Sequence, residues 1–357
     1  MTVPTETDPP QAMTEQNQSS SIIAAASAGH QPESATEPSA SRKNLKKWAI
    51  RAAKLVVIAL VLGSVGRQLN RSWHKLPDFQ PNLPLLILSG SLYIAGLLVF
   101  GLYYARIVRL VAPAVSPLEC LRAYILSHPA KYVPGKAMVV VIRVGLISRS
   151  GARATAAMLS ALYETLSMMA IGGLLGAILL ALPPAHPLAA LLSAGVGLAF
   201  LATVLPITFS KAARLLKKGL ATIEPEDSPA PGRGDWPALM LFGVIGWLCW
   251  GLSQVAVVVS LDTQHVFSLS EWPRVAGGVM LATVGGFALP ILPGGLGLRE
   301  WILNEVTGSV LGADLAIASA FVLRFVWIIA ELVAAAAVGL IPSRATTIPS
   351  AQEPEAA

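Results

Sequence analysis

The sequence predicts an all-α polytopic membrane protein with six full spans and two opposed re-entrant broken-helix hairpins arranged as an inverted repeat. Three observations carry this. Hydrophobic residues make up 54% of the chain and charged residues only 13%, with mean hydropathy +0.63, whereas soluble domains carry about 25% charge. Apolar runs long enough to cross a hydrocarbon core of about 30 Å recur along the chain. Two further apolar regions, 119–148 and 271–309, are interrupted by Pro and Gly, which helix interiors disfavour. The 357 residues suit one membrane domain, 45–343, between polar ends.

Residues 1–44 are rich in Ser, Ala, Thr, Glu, Gln and Pro and lack periodicity, which predicts a disordered tail. The first apolar run opens only near Trp48, too late for a cleaved secretory signal. Arg42, Lys43, Lys46, Lys47, Arg51 and Lys54 flank it, so the N-terminus is expected in the cytoplasm. Span 48–66 leads outward. The loop 67–83 carries Arg67, Arg71 and Lys75 against the charge rule, and span 84–110 returns to Arg106 and Arg109.

Region 119–148 breaks at His128-Pro129 and again at Pro134-Gly135, and is followed by Arg149 and Arg153. Both of its ends read as cytoplasmic, so a hairpin turning near the midplane is the economical solution. Irregular backbone at that depth is tolerated only against protein or a water-filled cavity. Spans 154–182 and 188–209 follow, joined by a tight turn at Pro183-Pro184. Lys211, Arg214, Lys217 and Lys218 then mark a cytoplasmic loop. Span 236–260 leads outward, region 271–309 breaks at 290–297, and span 313–341 ends at Arg344 in a polar tail, 344–357, expected inside. The second hairpin then enters from the outer face.

Repeat one (84–182) and repeat two (236–341) can be superposed. Pro134 precedes Gly151 by 17 residues and Pro293 precedes Gly312 by 19; Gly151 precedes Glu164 by 13 and Gly312 precedes Arg324 by 12. Inverted repeats with broken helices at the midplane characterise secondary transporters, although Pro-Gly pairs and Ala/Leu matches are cheap in apolar sequence.

A half-helix that begins after Pro134-Gly135, and another after Gly294-Gly295 starting at Leu296, would each direct unpaired N–H groups and a positive dipole end at the midplane. Two such ends form an anion site. Lys131, Lys136 and Arg299 add positive charge. The candidate binding residues are Pro134, Gly135, Lys136, Arg143, Glu164, Pro293, Gly294, Gly295, Arg299, Glu300, Arg324 and Glu331. Glu164 and Arg324 hold matching places in the repeat, and a pair between them would neutralise both; Glu331, two turns after Arg324, is the alternative partner. The competing explanations are a structural salt bridge, a place for Arg143 at the inner interface, and a local cap or pair for Glu300. Gly172-Gly173-Leu-Leu-Gly176 has the small-residue spacing of close helix packing.

The five histidines do not cluster and the two cysteines, Cys120 and Cys249, lie in or beside apolar segments, so no metal site, disulfide or cofactor is expected. Positive charge confined to flanking loops suits a lipid surface better than nucleic acid. Gly294-Gly-Leu-Gly297 lacks the Lys-Ser/Thr of a phosphate-binding loop, and no nucleophile–base set can be proposed from spacing.

Val133-Pro-Gly-Lys136, with Arg143 and Glu164, resembles the first motif of the lysylphosphatidylglycerol synthase transmembrane-region family, and Leu292-Pro-Gly-Gly-Leu-Gly-Leu-Arg-Glu300 resembles its second. The similarity covers about 45–341. It implies a stand-alone, flippase-like protein of the bacterial inner membrane, since 357 residues leave no room for the cytosolic aminoacyl-transferase domain of the bifunctional members. The implied partners are membrane lipids of anionic or polyprenyl-phosphate type. An accessory subunit presenting lipid to a lipid-modifying enzyme such as a glycosyltransferase is the alternative expectation. Fold resemblance alone supplies no substrate.

Overall fold

The structure, a computed structural model, describes residues 81–132, 137–217, 225–262, 267–288 and 297–340. The expected first span 48–66, both polar ends, and the break residues Pro134, Gly135, Lys136, Pro293, Gly294 and Gly295 lie outside the described residues.

Among the described residues ten α-helices follow in order: α1 Leu83–Val111, α2 Pro117–Ser127, α3 Ala137–Arg149, α4 Ala154–Ala181, α5 Pro187–Val204, α6 Pro206–Lys217, α7 Trp236–Leu261, α8 Trp272–Ala288, α9 Leu298–Leu311 and α10 Ala313–Gly339. Among the described residues five of these, α1, α4, α5, α7 and α10, are long and apolar enough to cross a membrane. The chain is an all-α membrane protein.

Local chemistry sets the helix ends. The Asn82 side chain accepts from the Leu85 N–H (3.3 Å), and the Ser116 hydroxyl accepts from the Glu119 N–H (3.2 Å), each satisfying an orphan donor at an N-terminus. After α2 the chain tightens into a 3-10 segment, His128–Tyr132, where Pro129 cannot donate to an α-helical ladder. The expected span 188–209 divides instead at Leu205-Pro206 into α5 and α6, again because proline cannot continue the helix.

Helices α1 and α7 lie antiparallel along their whole length. Asn82 N–H donates to the Ser260 carbonyl (3.1 Å) at one end; Ser89 Oγ donates to the Ser253 carbonyl (2.9 Å) further along; Arg106 pairs with Asp235 (2.9 Å) at the other end. Glycines permit this approach: a Cβ on Gly246 would sit 2.7 Å from the Phe100 ring, and one on Gly96 2.5 Å from Trp250.

The two interrupted regions are pairs of half-helices. α2 packs on α3, and α8 on α9. α2, α3, α8 and α9 have 11, 13, 17 and 14 residues; at about 1.5 Å per residue none spans about 30 Å. In the second pair Gly278 faces Thr307 and Val306 while Gly285 faces Ile302, an antiparallel register. The Gly172–Gly176 stretch packs helices as its spacing predicts. A Cβ on Gly173 would lie 2.5 Å from the Gly197 Cα, bringing α4 and α5 into backbone contact, and Gly172 faces Trp247.

Candidate functional site

The core between α1, α7 and α10 is aromatic. The Tyr93 ring stacks on Trp327 (4.4 Å) and Trp250 (5.2 Å), and Phe100 meets Trp250 edge-on (4.8 Å). The indole N–H of Trp327 donates to Ser253 Oγ (3.0 Å) and that of Trp250 to the Tyr93 carbonyl (3.3 Å), so these rings are fixed at both faces and edges. This wall supports two charged clusters.

In the first, α10 binds the end of each hairpin. Glu331, 1% exposed, receives Lys131 Nζ on Oε1 at 2.6 Å, the Tyr93 hydroxyl on the same oxygen, and the Tyr132 hydroxyl at 3.4 Å. Lys131 Nζ also donates to the Tyr93 hydroxyl (3.1 Å), and His128 Nε2 lies 3.3 Å from that hydroxyl. Lys131 and Tyr132 belong to the 3-10 segment at the end of α2. The other oxygen, Oε2, is buried and has no hydrogen-bond partner among the described residues. Two turns earlier on α10, Arg324 Nη1 donates to Glu300 Oε1 at the start of α9.

Arg299 completes this cluster. Its guanidinium lies over the Trp327 ring, 4.2 Å from the centroid, within electrostatic reach of Lys131 and Tyr132. Its Nη2 is buried with no hydrogen-bond partner among the described residues. Lys131, Arg299 and Arg324 bring three positive charges and Glu300 and Glu331 two negative ones. Among the described residues the balance is +1: Lys131–Glu331 and Arg324–Glu300 form two ion pairs, and Arg299 is the fifth charge.

The second cluster is a buried ion pair. Arg143 on α3 donates from Nη1 to Glu164 Oε2 on α4 (2.7 Å) and from Nε to Ser127 Oγ (3.1 Å). Its guanidinium lies over the rings of Tyr124 (4.4 Å) and Tyr104 (4.7 Å), and Thr165 adds a hydroxyl to Glu164 Oε2 (3.1 Å). Arg143 and Glu164 are each 2% exposed.

These contacts correct three expectations. Glu164 and Arg324 do not pair: Glu164 takes Arg143, and Arg324 takes Glu300, because each hairpin's second half-helix carries the complementary charge closer at hand. Arg143 is not an interface residue but is enclosed by α2, α4 and two tyrosines. The outer half-helix starts at Leu298 rather than Leu296, with Gly297 at φ +85° as its cap, a conformation only glycine adopts without cost. Its first free N–H is taken: Gly297 donates to Glu300 Oε2 at 2.7 Å. The dipole end there is compensated by its own carboxylate, and the Arg299 guanidinium lies over the Trp327 ring.

Glu331 does serve a charged partner, but on the other hairpin. The roles of Tyr93, His128, Tyr132 and Trp327 have no sequence signal beyond aromatic residues placed inside or beside apolar runs. No protein-family model matches the chain, and no curated protein matches it.

Proposed function

We propose that this chain is a lipid transporter of the flippase type that binds the anionic part of a lipid headgroup between the ends of its two hairpins. The carrying observation is the +1 balance of the described charges at that junction, with the Arg299 Nη2 donor buried and unpartnered among the described residues. A buried, unsatisfied donor costs about 1–3 kcal/mol and persists where a ligand will satisfy it; a guanidinium fits a phosphodiester best.

The packing supports an inverted repeat. Exchange α1 with α7, α2 with α8, α3 with α9 and α4 with α10. The contacts α1–α2, α2–α3, α3–α4, α1–α4, α4–α7 and α4–α8 become α7–α8, α8–α9, α9–α10, α7–α10, α10–α1 and α10–α2, all of which occur. The α1–α7 pair maps onto itself and is antiparallel. Short links tie each hairpin to the end of the preceding helix, so the hairpins enter from opposite faces. Gly151 and Gly312, at φ +98° and +76°, make matching turns before α4 and α10. Arg143–Glu164 and Glu300–Arg324 are matching pairs with the charges exchanged.

Arg106, Arg109, Arg149, Arg153, Lys211 and Arg233 lie at the end where α1 finishes, against Arg274 at the other. By the positive-inside rule the first end is cytoplasmic, and both termini, the sixth span and the bacterial inner membrane belong to this reading. The resemblance to the lysylphosphatidylglycerol synthase transmembrane region points the same way.

The test is transport by the full chain in proteoliposomes containing labelled phosphatidylglycerol or labelled phosphatidylcholine. Phosphatidylglycerol crosses faster than in protein-free vesicles and phosphatidylcholine does not. Arg299→Ala slows it about tenfold or more, the worth of one charge-assisted hydrogen bond. Equal rates with and without protein, or an unaffected Arg299→Ala, overturn the proposal.

A further inference from the structure

Helix α6 belongs to neither hairpin and takes no part in the aromatic wall. Its 12 residues make about 18 Å of helix, too short to cross a core of about 30 Å. It follows α5, whose 18 residues make about 27 Å and bring Pro206 to the edge of that core. The two sides of α6 differ. Phe209 and Ala213, four apart, are buried, and the Phe209 ring meets Tyr163 of α4 edge-on at 4.9 Å. Ile207, Lys211 and Leu215, also four apart, are exposed on the opposite side, Ile207 by 71% and Leu215 by 67%. The sequence adds Arg214, Lys217 and Lys218, with no Asp or Glu from 206 to 223.

The contact with α4 fixes the depth. Helix α4 has 28 residues, about 42 Å, so it overhangs the core by about 6 Å at each end. Tyr163 lies about 14 Å along it from Ala154. The Phe209–Tyr163 contact therefore lies about 8 Å below the edge, within the depth of about 5–10 Å at which interfacial helices bury their apolar face. Lys211, Arg214 and Lys217 follow toward the surface. We infer that α6 is a docking helix for anionic phospholipid on the membrane face where α1 finishes. Ile207 and Leu215 enter the acyl boundary while the cations draw phosphate groups to the helix. A soluble acidic partner would match the charge but would leave the two exposed aliphatic side chains without an apolar medium. Each cation near an anionic surface strengthens attachment by about fivefold at low salt. This docking rests on the membrane assignment alone and is independent of the headgroup reading above.

The test uses the full chain with Cys120 and Cys249 replaced by alanine and a fluorescent probe on Leu215→Cys, in nanodiscs whose acyl chains carry bromine quenchers. Phosphatidylglycerol discs quench the probe more strongly than phosphatidylcholine discs, and raising the salt to about 1 M, where screening shortens to about 3 Å, removes the difference. A probe on Ile329→Cys, exposed on α10, is quenched alike in both lipids and at both salts. Lys211→Gln with Arg214→Gln and Lys217→Gln abolishes the phosphatidylglycerol effect at position 215. Equal quenching at 215 in the two lipids, no quenching in either, or a difference that survives high salt overturns the docking. The salt and lipid arms decide the matter even where the triple variant fails to fold. No lipid need cross the membrane for any of these readings, so failure here leaves the flippase reading standing, and failure of transport leaves the docking standing.

Discussion

Arg143 shows how much one buried charge can demand. It is held by a carboxylate at 2.7 Å, a hydroxyl at 3.1 Å and two tyrosine faces. Removing it leaves Glu164 ionisable and enclosed, which costs about 3–5 kcal/mol. Arg143→Met is therefore expected to lower stability by about that amount in detergent unfolding, and Arg143→Met with Glu164→Met to recover most of it. Equal loss in the single and double variants contradicts the pair. Arg106–Asp235, 46% and 21% exposed, is worth about 0–1 kcal/mol, so Arg106→Met should hardly register. The sequence made Arg143, Glu164, Arg324 and Glu331 visible because charge in an apolar run is rare. It could not assign their partners: Glu164 and Arg324 match in repeat position, but pairing is decided by which half-helix lies against which span.

At the scale of elements, small residues decide how closely helices approach. A Cβ on Gly173 meets backbone at 2.5 Å, whereas one on Gly145 meets nothing within 4 Å. A backbone neighbour cannot rotate aside, so Gly173→Leu forces α4 from α5 and destabilises by about 1–3 kcal/mol or more. Gly145→Ala, on an exposed part of α3, stabilises by about 1 kcal/mol through helix propensity. Thermal unfolding of the two variants should move in opposite directions; a stabilised Gly173→Leu refutes the close packing. Most elements were legible in the sequence, since long apolar runs and proline breaks report directly on helices. The division of 188–209 was not, because a proline near the end of an apolar run reads equally as a kink or a stop. Leu298 as the start of α9 depends on Gly297 adopting φ +85°, which three neighbouring glycines made equally open to each.

At the scale of the molecule, α10 ties the two hairpins together: Glu331 holds the end of the first and Arg324 the start of the second helix of the other. In the proposed reading that link joins two local interruptions into one site, and it has meaning only if the hairpins enter from opposite faces. Spacing alone suggested the repeat; the antiparallel α1–α7 pair and the exchange symmetry of the contacts are what a single sequence does not contain. The direct measurement is side-specific thiol labelling in right-side-out and inverted vesicles. Cys120 and Cys249 are first replaced by alanine, then Ala114→Cys, between α1 and α2, and Ser268→Cys, before α8, are introduced singly at exposed positions. An impermeant reagent is expected to label Ala114→Cys only from the cytoplasmic side and Ser268→Cys only from the outer side. Labelling of both from the same side would contradict the inverted repeat and the shared site built on it.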